Sequence, residues 1–100
     1  MMIVVLYTLI NFILNKNMEI VNQYQSAAEE FALEYGVSNP HIVRIISSVM
    51  MTRDGQGLQG GSFVQSVVDN DLFGAISKAD NQCLENLKVI VAANQYSYLN

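Results

Sequence analysis

The sequence predicts a small all-α domain, and three observations carry that expectation. A chain of 100 residues has room for a single core. Apolar residues make up 51% of it, with one Pro and six Gly, which leaves too little polar low-complexity sequence for disorder. From Met18 onward the apolar positions recur at spacings of three and four, the period of a helix and not of a strand. The expected architecture is four to five helices with a glycine-rich loop, residues 18–100, preceded by an apolar N-terminal element, residues 1–17.

That element is the least ordinary part of the chain. Met1 to Leu14 reads MMIVVLYTLINFIL, in which Thr8 and Asn11 are the clearly polar members, before Asn15, Lys16 and Asn17 restore polarity. A spanning helix needs about 20 apolar residues, so a membrane is not the expected partner. A secretory signal needs basic residues ahead of the apolar run and small residues at a cleavage point, and neither pattern is present. The remaining readings are a strand or helix completing the core, an oligomer contact, or a non-native extension ahead of a start at Met18. One small core cannot cover this run as well as the later apolar stripes. The sequence therefore predicts self-association, most simply a two-fold dimer, through Ile3, Val4, Leu6, Tyr7 and Ile10. A membrane anchor would hide the same surface by another route.

From Met18, Ile20, Tyr24, Ala27, Phe31 and Tyr35 form one stripe, with Glu29, Glu30 and Glu34 mostly outside it. Gly36 suits the left-handed position that ends a helix, and Asn39-Pro40 suits the start of the next. That second helix carries Ile42, Ile45, Ile46, Val49 and Met50, although its β-branched content leaves a strand as the alternative. Four of the six glycines then fall within residues 55–61, the expected mobile loop. Ser62 is the expected cap of a third helix over 63–68, and Asn70 of a short continuation through Leu72, Phe73 and Ile76 that Gly74 weakens. Asp80 opens a last helix in which Leu84, Leu87 and Val91 face one way, flanked by Cys83 and Ile90, and residues from Asn94 are expected to fray.

Nine acidic against five basic residues give a net charge of -4, which repels phosphate backbones and argues against bulk nucleic acid as a partner. One Cys and one His exclude a disulfide framework and a Cys/His-rich zinc site; no cofactor and no metal are expected. Gly55, Gly57 and Gly60 match G-x-G-x-x-G, but a dinucleotide fold needs a strand ahead of the loop, and the Lys of a phosphate-binding loop is missing. A less specific anion site beside Arg53 is the functional alternative to a plain connection. Asp69, Asn70 and Asp71 read as capping residues, since a calcium loop spreads its ligands more widely and ends in Glu. His41 reads as a solvent-facing or capping residue, and Cys83 as a buried small hydrophobe. Tyr24, Tyr35, Tyr96 and Tyr98 are of the type enriched at interfaces.

The stretch Gly61-Ser62-Phe63 through Asn70-Asp71-Leu72, then Ala75, Lys78-Ala79-Asp80, Leu87 and Ile90-Val91, resembles a pattern carried by small bacteriophage and prophage proteins: Gly-Gly-Phe, Asn-Asp-Leu, Arg-Ala-Asp, then a helix with Leu and Ile-Val. The resemblance covers about a third of the chain. Lys78 stands where that group has Arg, and Gln95-Tyr96-Ser97-Tyr98 replaces its Trp- and Pro-rich tail. The resemblance implies phage origin, a helical fold and an accessory protein that binds a host defence or regulatory factor in the host cytoplasm. It brings no established activity. Arg53, Gly57, Gly60, Gly61, Phe63, Asn70, Asp71 and Lys78 are the candidate pocket for a small nucleotide-like ligand. The expected function is non-enzymatic binding; the alternatives are a small enzyme acting on a nucleotide-type substrate and a membrane-anchored protein.

Overall fold

In the computed structural model, which describes residues 2–96, helical spacing becomes helix throughout. The order is α1 (Met2–Glu34), α2 (Pro40–Asp54), α3 (Ser62–Val68), α4 (Leu72–Lys78), α5 (Asn81–Glu85) and α6 (Leu87–Gln95). Among the described residues there is no strand, so the protein is all-α.

The N-terminal element and the first expected helix are one object. No residue between Met2 and Glu34 breaks the hydrogen-bond ladder, and α1 runs for 33 residues. Its two halves meet different surroundings. Tyr24, Ala27, Ala28, Phe31 and Ala32 are buried, whereas Ile3 through Glu19 are all exposed. The N-terminal run therefore does not fold back into the core. The molecule is a head with a projecting helix, 54 Å long and 26 by 25 Å across.

The turn after α1 uses Gly36 at φ 72°, a conformation that costs a residue with a Cβ about 1–2 kcal/mol. Asn39 then accepts from the His41 amide at 2.9 Å, and Pro40 occupies the first turn. α2 returns antiparallel to α1, so that Tyr24 donates its hydroxyl to Asp54 Oδ2 at 2.8 Å. Ile42, Val43, Ile46, Val49 and Met50 fill the centre. α3 and α6 close the core with Val64, Val67, Val89, Ile90 and Ala93, while α4 and α5 add Ala75 and Cys83.

Several local expectations change. Gly61, not Ser62, stands at the start of α3, and no side chain caps it. Asp71, not Asn70, caps α4, accepting from the Gly74 amide at 3.0 Å, while Asn70 takes a left-handed φ of 59°. The expected last helix is interrupted at Asn86 (φ -112°, ψ 20°). A helical count run across that break loses its phase, so the buried side carries Cys83, Ile90 and Ala93 and leaves Leu84 and Val91 exposed. Asn94 is buried and Tyr96 packs on Phe31, ring centroids 4.9 Å apart, so residues 94–96 are docked where fraying was expected. Tyr98 lies outside the described residues.

Candidate functional site

The residues that the sequence groups as a ligand pocket separate into three places. Arg53 lies across the C-terminal end of α6: its Nη1 donates to the carbonyls of Ala93 (3.0 Å), Asn94 (3.3 Å) and Tyr96, while Nε and Nη2 reach Asp54 at 2.8 and 3.2 Å. A guanidinium satisfied on these sides neutralises the negative end of a helix and has a structural role. The Arg53 bonds, with the Tyr24 hydroxyl, hold the Asp54 carboxyl below its ordinary value of 3.8 against the opposing effect of burial. Gly60 is held to α2 by its amide, which donates to Thr52 Oγ1 at 2.8 Å. Gly57 lines a groove with Leu58 against Leu14, Met18 and Val21 of α1. Gly61 flanks the start of α3 as its N-cap residue, and Phe63 packs half-buried against the core.

Asn70 and Asp71 do share a depression with Ser66, Leu72, Ala75 and Val91, but it has room for only about 100 Å³. Lys78 closes beside it by donating to Ser66 Oγ at 3.1 Å. The space is well below the several hundred Å³ of a usual small-molecule site. Leu72 and Phe73 beside it are exposed.

A different cluster unites residues that the sequence left apart. His41 lies in the first turn of α2, Asp80 caps α5 by accepting from the Cys83 amide at 2.7 Å, and Cys83 points inward from α5. His41 Nε2 lies 2.9 Å from Asp80 Oδ2 and 4.0 Å from Cys83 Sγ. The Cys83 amide and then His41 lower the Asp80 carboxyl. Burial, and then the hydrogen bond and charge of Asp80, push the Cys83 thiol up to about 11. The thiol is therefore protonated near neutral pH and is no ready nucleophile. His41 and Asp80 open onto a shallow depression shared with Arg44, Asn81 and Gln82. Residues 41 and 80 are distant in sequence, and only the junction of the α2 and α5 starts brings them together. The Asp-x-x-Cys spacing was the one visible signal.

The exposed part of α1 is the largest surface the core leaves unexplained. At 100° per residue, Ile3, Leu6, Tyr7 and Ile10 lie on one side, and Val5, Leu9 and Phe12 on the opposite one. Every one of these is more than half exposed. Thr8 returns its hydroxyl to the Val4 carbonyl at 3.0 Å, so that this polar group is satisfied within the helix. Beyond the apolar run, Lys16 lies over the Phe12 ring at 5.7 Å and pairs with Glu19 at 3.9 Å. By length and composition, α1 is the one described helix that could cross a membrane. Compared with protein-family models, curated proteins and solved structures, the chain gives no match.

Proposed function

We propose that this protein is a non-catalytic binding module held at a lipid bilayer by the N-terminal part of α1. The observation that carries the reading is that residues 3–14 expose apolar side chains on opposite sides of α1, with Asn11 as the one clearly polar side chain of that run not bonded within the helix and Thr8 returned to the Val4 carbonyl. A helix pair buries a stripe of about two positions in seven. A dimer formed through Ile3, Val4, Leu6, Tyr7 and Ile10 would leave Val5, Leu9 and Phe12 in water on the far side. Lipid covers both apolar sides at once, which a single helix–helix contact does not.

Length also supports this reading once α1 is continuous. The expectation against a membrane counts the apolar residues to Leu14, but the helix continues through Asn15, Lys16, Asn17 and Met18. The apolar residues 2–14 rise about 20 Å, and Asn15, Lys16 and Asn17 carry the helix on into the headgroup region of a bilayer whose hydrocarbon is about 30 Å thick. A shortfall of that size is met by local thinning, with Lys16 extending its ammonium to the interface. Lys16 is also the basic flank that favours the cytoplasmic side for the head. With the resemblance to small phage proteins, the proposal becomes an accessory protein acting by binding at the inner face of its host's membrane.

The full chain mixed with neutral phosphatidylcholine vesicles should float with them, and Leu6→Lys combined with Leu9→Lys should stay behind while keeping its helical circular dichroism. A full-length chain that sediments as a soluble dimer and ignores vesicles would reject the lipid reading in favour of self-association.

A further inference from the structure

We propose that His41, Asp80 and Cys83 together form a zinc site that clamps the start of α2 to the start of α5. The nitrogen that would ligate the metal already faces both other donors: His41 Nε2 is 2.9 Å from Asp80 Oδ2 and 4.0 Å from Cys83 Sγ. All three ligand atoms lie within 4.8 Å of one another. Tetrahedral zinc, with bonds of about 2.0–2.3 Å, separates nitrogen from oxygen by about 3.3 Å and from sulfur by about 3.6 Å. The first separation must open and the second close by about 0.4 Å each, and the oxygen–sulfur pair must close to about 3.6 Å. Asp80 is exposed and can make that movement by rotating its carboxylate.

The donor set selects the metal. Thiolate and imidazole exclude calcium and magnesium, and one carboxylate beside them suits zinc. Loading forms the zinc–sulfur bond as the thiol proton leaves to water, and zinc replaces the contact between His41 Nε2 and Asp80 Oδ2 as the Nε2 proton leaves to water, a neutral ring regaining one on Nδ1. The carboxylate and thiolate then neutralise the dication, which offsets the unfavourable positive end of α2. Arg44, also unfavourable, is exposed and screened by solvent. The fourth position faces the depression lined by Arg44, Asn81 and Gln82 and would take water.

The test is titration of the full chain with Co²⁺, followed by displacement with Zn²⁺. One equivalent of Co²⁺ should bind and give a thiolate-to-cobalt charge-transfer absorption that Zn²⁺ removes. Cys83→Ala should abolish that absorption, with Cys83→Ser as the alternative if the alanine variant loses its helical dichroism. Asp80→Asn retains a good helix cap, so it should fold, and it and His41→Gln should each weaken binding by about 100-fold or more. Binding without the charge-transfer band, or wild-type affinity in both Asp80→Asn and His41→Gln, would overturn the site.

Discussion

At position 60 a glycine is required because two helices press on it. A Cβ there would lie 2.6 Å from Val64 Cβ and 2.7 Å from Ser48 Oγ. Val64 is buried and stiff, so Gly60→Ala should cost about 1–3 kcal/mol through overpacking, read from urea unfolding. The glycine thus has a packing reason independent of any phosphate. The Arg53–Asp54 pair gives a second prediction. Asp54→Asn keeps the shape of the side chain but weakens charge-assisted bonds, and should lower the unfolding free energy at pH 7 by about 2 kcal/mol. The folded carboxyl is held below 3.8, so its contribution is complete above the unfolded value and fades as pH falls through the folded one. The difference between wild type and variant should therefore shrink in acid, as denaturation at pH 7 and pH 3 will show.

Among the elements, those with local signals were legible in the sequence. Asn39-Pro40 fixed the start of α2 through one cap and one ring, and Tyr24, Ala27 and Phe31 marked the buried side of α1 by spacing alone. The break at Asn86 was not legible, because Leu84, Leu87 and Val91 form an equally regular stripe in an unbroken helix. Tertiary contact decides which side is buried there. The tip of the loop after α2 sits where no local pattern would place it. Leu58 is 88% exposed at its tip, beside Leu14, Met18 and Val21 where α1 leaves the head. On the membrane reading, this side chain enters the lipid interface next to the anchor. Leu58→Asp should reduce vesicle partitioning by about tenfold, near the 1.5–3 kcal/mol range for burying a leucine, without changing the melting temperature of the head. Flotation and thermal unfolding of the same variant check both halves.

For the whole molecule, the candidate site depends on an arrangement that no local pattern carries. Asp80 reads singly as a cap and Cys83 as core, and both readings hold, whereas His41, read as solvent-facing or capping, leaves the capping of α2 to Asn39 and turns its ring to Asp80. Their meeting depends on α2 running back along α1 and α5 returning to its start. The same antiparallel return places that cluster at the end of the head remote from the projecting segment. With no turn between Leu14 and Tyr24, α1 has no swivel and acts as a lever. From residue 18 to 34 the arm is about 24 Å, so a helix tilt of about 20° carries the far end sideways by about 8 Å. On the membrane reading, a partner captured on that end would be held at a set height and bearing above the bilayer, and a change in bilayer thickness that alters the tilt would move it.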